Sequence, residues 1–266
     1  MRDNHTFALC AYKESRYLGD AILSILNQTD KSNLIVTTAT PNEFIEKTCK
    51  SYGVRLIVNN SKPGIGSDWN FAFDACDTDF VTVFHQDDLV DSRYTERLFN
   101  KAGEEFILAF TDYNEMREGA LVKSNLLLLV KRLMLLPMLM PGAQSSIFIR
   151  RMILSMGCPI CCPSVTFNKR LVGDMRFSLD FKCNLDWDYW ERASKLKGRF
   201  VYVPEPLVVH RIHEESATTK LIGENIRGSE DMIMYKRFWN DSIASFIYSF
   251  YSLSQKSNNV SSDKKK

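Results

Sequence analysis

The sequence has no excess of charge of either sign: 34 Lys and Arg stand against 32 Asp and Glu in 266 residues, a formal +2. That balance excludes a global basic field, and with it nucleic acid as the main partner. No apolar run is long enough to cross a bilayer. The first apolar stretch, Phe7–Ala11, is also too short for the core of a secretory signal. A disulfide framework is missing too. The seven cysteines, an odd number, include the adjacent Cys161-Cys162 and keep no regular spacing, which fits free thiols in a reducing, cytoplasmic setting. Cys158-x-x-Cys161 has no second pair to complete a zinc site. Gly64-Ile65-Gly66 lacks the third glycine of a dinucleotide fingerprint, and no P-loop, Gly-x-Ser-x-Gly elbow or internal repeat occurs. What is present is ordinary globular composition, 45% hydrophobic and 25% charged, at a length suited to one large domain.

The first part of the chain alternates short apolar runs with amphipathic stretches. Phe7–Cys10, Leu34–Val36, Arg55–Val58 and Phe80–Phe84 read as strands. Tyr17–Asn27, Phe44–Tyr52 (ended by Gly53) and Asp68–Cys76 read as helices between them. Such alternation implies an α/β fold with a parallel sheet covered by helices, whose ligands bind beyond the carboxyl ends of the strands. Tyr12–Ser15, Thr37–Thr40 and Gln86–Asp88 each follow a strand and are therefore expected to face one crevice. After Asp112 the pattern turns irregular. Val165–Phe167 reads as a strand, Asn184–Leu196 as a helix, and Phe200–Val203 and Leu207–His210 as strands around a Pro-Glu-Pro turn. Ser229 reads as an N-cap, followed by one helix with Met232, Tyr235, Trp239, Ile243, Phe246, Phe250 and Leu253 on a stripe that suits core packing or a homodimer face. Residues 1–254 are expected to form one domain, with a ligand-binding half at 1–112 and a second half at 113–254, before a disordered polar tail at 255–266.

Three polar groups carry candidate chemistry. Asp87-Asp88 ends an apolar strand, where adjacent acids repel unless a cation sits between them and a ligand. Oxygen donors suit Mg2+ or Mn2+, although an Asp here could equally cap the next turn. Asp186 and Asp188 sit two apart at a helix start and point in different directions. Asp186 has the better claim on a cleft edge as a general base, and a plain capping role is the alternative. In Val209–Ser216, Arg211 and His213 share one side of an extended segment. They suit a diphosphate and its metal, or else pair with Glu214 and Glu215.

In chain order these pieces resemble family 2 glycosyltransferases, which have the GT-A nucleotide-sugar fold. Cys10–Glu14, Tyr17-Leu18 and Ser24–Thr29 look like the family's opening strand, loop and helix. Gly64–Ala72 stands in its glycine-to-asparagine segment, and His85-Gln86-Asp87-Asp88 in its aspartate-x-aspartate motif. Asp186–Arg192 and Arg211–Thr218 match its base-bearing helix and basic closing motif. The resemblance covers roughly residues 5–220. It implies a Rossmann-like, mostly parallel sheet with an irregular, helical acceptor half. It also implies inverting, metal-dependent transfer from a nucleotide-sugar, usually a uridine diphosphate sugar, to a glycan or lipid-linked hydroxyl in bacterial surface polysaccharide synthesis. By the same resemblance, Asp186 is the base, and Asp87, Asp88 and His213 form the Mn2+ or Mg2+ site, with Asp88 also ordering its loop. Ala11, Tyr12, Glu14, Thr38, Asp68, Asn70, Gln86 and Arg211 then meet the donor. The sequence departs from the pattern in placing His85 where the motif's first aspartate belongs, and Thr37-Thr38 where an acid near the base is usual.

Two alternatives stand beside this reading. A sugar nucleotidyltransferase would need a glycine-rich basic loop after the first strand, and Ala11–Arg16 contains no glycine. A GT-A-like scaffold without activity is the other. The apolar segment Leu126–Met140, interrupted by Lys131, Arg132 and Pro137, reads in three ways: a buried helix over the acceptor cleft, a membrane-surface contact involving residues 123–151, or an oligomer interface.

Overall fold

Apolar side chains alternating with period two build a strand that is buried on both faces. In Arg2–Ala11 (β1), Phe7, Leu9 and Ala11 enter one core, while Ala8 and Cys10 pack against the other. The computed structural model describes residues 2–213 and 226–256. Parallel neighbours Ser32–Thr38 (β2), Arg55–Val58 (β3) and Phe80–His85 (β4) extend β1 in the order β3-β2-β1-β4. Leu18–Leu26 (α1), Glu43–Tyr52 (α2) and Ile65–Asp74 (α3) connect them, as the periodicity indicates. Helix α2 opens on the Asn42 side chain, which accepts from the Ile45 N–H, and stops at Gly53, whose φ of 65° is left-handed.

The second part continues the same sheet as β4-β8-β6-β9-β5, built from Leu89–Val90 (β5), Leu108–Arg117 (β6), Val165–Asn168 (β8) and Phe200–Ile212 (β9), with Ala120–Val122 (β7) paired to β6. The parallel ladders are the long ones, up to ten residue pairs between β6 and β9, whereas β8 joins β4 and β6 by short antiparallel ladders. Tyr94–Ala102 (α4) packs on the face that also holds α1. Leu126–Leu135 (α5), Ile147–Leu154 (α6), Lys169–Val172 (α7) and Leu185–Ala193 (α8) complete the irregular half.

Three sequence expectations need correction. The Pro204-Glu205-Pro206 turn does not separate two strands, because β9 runs through it and absorbs the interruption as shifts of register against β6. The long C-terminal helix is two helices, Ile226–Lys236 (α9) and Asp241–Lys256 (α10). Ser229 lies inside α9 and its hydroxyl donates to the Ile226 carbonyl, so it is not an N-cap. Residues 214–218 of the closing motif and 257–266 of the expected tail lie outside the described residues.

Candidate active site

The loops that leave β1, β2 and β4 are tied to one another by hydrogen bonds. The Gln86 carboxamide accepts from the Tyr12 N–H at 2.9 Å and donates to the Tyr12 carbonyl at 3.0 Å. The Lys13 N–H donates to Thr40 Oγ1 at 2.7 Å, with Lys13 at a positive φ of 54° that a side chain rarely adopts. Tyr12 and Glu14 stand exposed at this rim, above buried Ala11 and Thr38. Asp68, in the first turn of α3, accepts from Asn59 Nδ2 at 3.1 Å and from the Gly64 N–H at 3.3 Å; its burial raises its pKa. The Asn70 carboxamide spends both ends on the Phe177 backbone, donating at 2.9 Å and accepting at 2.8 Å. Asn70 therefore ties α3 to the segment before α8, and the Gln86 amide ties two loops together.

Beyond β4, Asp88 is fully buried. Its Oδ1 accepts from the Arg211 N–H at 2.9 Å and lies 3.0 Å from His210 Nδ1, while its Oδ2 lies 3.3 Å from His85 Nδ1. Burial alone would raise the pKa of this carboxyl, but the imidazoles of His210 and His85 outweigh it and hold the group below the usual carboxylate range. Asp88 thus ties the loop to β9. Asp87, two-tenths exposed at its side chain, faces His213 Nε2 at 3.0 Å across that same junction. Tyr17 packs against the His213 ring and carries the Arg211 guanidinium over its face, where Arg211 also pairs with Asp20 at 2.9 Å.

Sequence reasoning treated His85 as a lost carboxylate. The structure stacks its ring on Trp69, with centroids 5.0 Å apart and planes 11° from parallel, and groups it with Asp87 and Asp88 so that their donor atoms all lie within 4.8 Å of one another. His85 Nε2 is buried without a hydrogen-bond partner, as is Asp88 Oδ2 apart from its ion-pair contact with His85. Such orphaned donor and acceptor atoms, two carboxylates and an imidazole fit a divalent cation of the Mn2+ or Mg2+ kind.

Asp186 occupies the first turn of α8. Its Oδ1 accepts from the Trp187 N–H at 2.7 Å, and the Cys158 thiol donates to Oδ2 at 3.8 Å. Burial raises its pKa, against the opposing pull of the Trp187 N–H and of positive charge at Arg227, Lys131 and His85. Helix α3 links the head of α8 to the end of β4, because Gly66 lies against the Leu185 side chain and Trp69, one turn on, stacks on His85. Asp188 takes no part there, being locked to Arg192 at 2.7 Å and Arg237 at 2.6 Å. The segment entering α8 is fixed by Glu230 of α9, which the sequence places only as an acid in the first turn of a helix. Its carboxylate accepts from the N–H groups of Lys182, Cys183 and Asn184 at 2.7–2.9 Å. Gly66 lets α3 approach this corner, since a Cβ there would meet the Leu185 side chain at 2.7 Å.

Comparison with known proteins gives this site its relatives. Residues 6–156, more than half of the chain, match the sequence profile of Glycosyl transferase family 2. The chain belongs to that family. Curated protein sequences return no match. Among solved structures, S. aureus TarS 1-349 in complex with UDP-GlcNAc superposes with a TM-score of 0.64 at 12% identity, over 98% of this chain and 77% of that one. Mannosyltransferase PcManGT from Pyrobaculum calidifontis, in complex with GDP-Man and Mn2+, gives 0.61 at 12% identity with the same coverage. Glucosyl-3-phosphoglycerate synthase from Mycobacterium tuberculosis, in complex with phosphoglyceric acid, gives 0.53 at 17% identity over 84% of this chain and 79% of that one. Against the longer crystallised TarS chain, this family 2 chain spans 46% of the length. The shared fold is the GT-A glycosyltransferase arrangement of a mostly parallel sheet and flanking helices.

Proposed function

We propose that this family 2 chain transfers a sugar, with inversion, from a nucleoside diphosphate donor to a hydroxyl of a glycan or lipid-linked acceptor. A uridine diphosphate sugar is the first donor to test, and surface polysaccharide assembly on the cytoplasmic side is the setting. The observation that supports the reading best is the cluster of His85, Asp87 and Asp88, whose donor atoms lie within 4.8 Å of one another beside His213. Helix α3 links it to the head of α8, where the half-buried Asp186 has a raised pKa. Solved relatives in complex with UDP-GlcNAc, with GDP-Man and Mn2+, and with UDP and Mg2+ support the donor class.

In this reading Asp87 and His213, with Asp88 and His85 behind them, hold a divalent cation. Such an ion, when bound, offsets the charge that develops on a departing diphosphate. Ala11, Tyr12, Glu14 and Thr38 line the base pocket, Asp68 faces the ribose, and Arg211 adds positive charge beside the diphosphate. Asn70 and Gln86 shape the walls, because their amides already hold backbone. Asp186 accepts the proton of the acceptor hydroxyl as its oxygen attacks the anomeric carbon. One carbon–oxygen bond to the acceptor forms, the bond to the diphosphate breaks, and the nucleoside diphosphate leaves. Burial equips Asp186 for this step, since a carboxylate that is hard to solvate holds a proton more tightly.

Calorimetric titration with UDP, with and without Mn2+ or Mg2+, tests the donor half. Metal-dependent binding that Asp87→Asn abolishes is the expected result; no UDP binding under either condition would exclude the uridine donor, and the same outcome with GDP would overturn the proposal. Binding without any turnover across a donor panel would mark a nucleotide-binding subunit instead.

A further inference from the structure

Helix α1 opens on a residue that gives the helix no cap. Tyr17 stands at its N-cap, where Ser, Thr, Asp or Asn would accept a backbone N–H, and the Tyr17 side chain makes no capping bond. The ring meets the end of β9 instead. The Arg211 guanidinium lies 4.5 Å from its centroid, and the His213 ring lies 5.1 Å away, tilted by 55°. Arg16, exposed beside it, donates to the Tyr17 hydroxyl at 2.6 Å. Asp20, one turn along α1, accepts from Arg211 Nη2 at 2.9 Å. Arg211 is thus gathered against α1 and is only 8% exposed. Its Nη1 is nevertheless buried without a hydrogen-bond partner among the described residues. A buried charged donor with no acceptor is costly, and a ligand that supplies the acceptor is a physical reason to keep one.

We infer, on the transferase reading above, that Tyr17 is the positioning residue for the grip on the donor's diphosphate. Its ring holds Arg211 and His213 side by side, so that Arg211 Nη1 is kept for a phosphate oxygen while His213 faces Asp87 at 3.0 Å. An aromatic face suits this task. It attracts a guanidinium and packs against an imidazole without using up the N–H groups that a ligand needs. A carboxylate in the same place would take those groups for itself, as Asp20 takes Nη2.

The place of Tyr17 in the chain fits the role. The rim loop that leaves β1 runs directly into it. Ser15 Oγ accepts from the Tyr17 N–H at 3.3 Å, and the Ser15 carbonyl accepts from the Leu18 N–H at 3.1 Å. Leu18, the next residue, is fully buried in the core that α1 shares with β1. The ring is therefore set between the rim loop and the core. The residues proposed to meet the nucleoside base and the platform against Arg211 belong to one continuous stretch, Ala11–Leu18.

Calorimetric titration of the full chain with UDP and Mn2+, with uridine binding followed by ligand-observed NMR, tests the role in the wild type, Tyr17→Leu and Tyr17→Phe. Tyr17→Leu keeps apolar bulk and removes the aromatic face. It should weaken UDP binding by about three- to tenfold, the scale of a lost cation–π contact, and leave uridine affinity within about twofold. Tyr17→Phe keeps the face and loses only the bond to exposed Arg16, so it should bind UDP as the wild type does. Where Tyr17→Leu lowers the melting temperature, Tyr17→Met replaces it with the same expectation. Undiminished UDP binding by Tyr17→Leu, an equal loss for UDP and uridine, or a loss as large in Tyr17→Phe would each overturn the positioning role and leave the transferase reading standing. No binding of UDP or GDP by the wild type would overturn that reading, and the role of Tyr17 with it; where GDP alone binds, GDP and guanosine replace UDP and uridine.

Discussion

Asp186→Asn keeps the shape of the side chain and removes its ability to take a proton. The folded-state pKa of Asp186 is raised above that of the unfolded chain. Its ionised form therefore costs stability at neutral pH, a cost that disappears as pH falls through the folded pKa. The variant should keep or raise the melting temperature at neutral pH while turnover drops by about 10²–10⁴-fold, a split that calorimetry and a UDP-release assay resolve. Asp87 and Asp88 should separate in the opposite sense. Asp87→Asn should lose metal-dependent UDP binding with little change in melting temperature. Asp88→Asn weakens a fully buried acceptor for the Arg211 N–H and His210, and should destabilise the fold by about 1–3 kcal/mol in denaturant titration. At this scale the candidate acids were legible, because carboxylates at the ends of apolar strands and helices have few structural reasons to be there. Gln86 and Asn70 were not, since nothing in a sequence says whether a carboxamide meets a ligand or a neighbouring backbone. His85 was hidden for another reason. Its value lies in the Trp69 stack and in the geometry of Asp87 and Asp88, which only folding supplies.

Helix α8 owes its position to groups far away in sequence. Glu230→Ala strips three backbone N–H groups of their acceptor. It should destabilise the protein by about 1–3 kcal/mol and lower kcat while UDP affinity holds. A loss of UDP affinity equal to the loss of kcat would show that Glu230 supports the whole molecule rather than the placement of Asp186. Arg150 plays a comparable part for α6. Its buried guanidinium donates to the carbonyls of Ser194, Leu196 and Gly198 after α8. Replacing it by Met leaves all three acceptors unmet. The alternation of strands and helices up to Asp112 was readable because each element buries a face of fixed period. The break between α9 and α10 was not. An apolar stripe at helical spacing continues across Arg237–Asn240 and masks the local stop there, the Asn240 carboxamide oxygen that accepts from the Ile243 N–H at 3.0 Å and caps the start of α10.

Across the whole molecule, one sheet carries both halves, with β8 inserted antiparallel between β4 and β6. No sequence pattern announces that order, because β8 is only four residues long and its partners lie far apart in the chain. His5 at the far end of β1 offers a global probe. Burial, with a smaller push from Arg2, lowers its pKa from 6.5 to about 3, while Ser32 and Thr82 occupy its ring nitrogens. Below pH 6.5 the unfolded chain takes up a proton that the folded chain refuses, so stability falls as pH drops from 6.5 toward 3. His5→Gln should flatten that slope in thermal melts. The difference between the two curves isolates His5, because the opposite contribution of Asp186 is common to both.

The most direct test of the account is UDP release from a panel of UDP-sugars by the wild-type chain and by Asp186→Asn, with UDP affinity measured on both. The account expects metal-dependent release by the wild type that nearly vanishes in the variant while its UDP affinity is unchanged. Undiminished release by Asp186→Asn would contradict it.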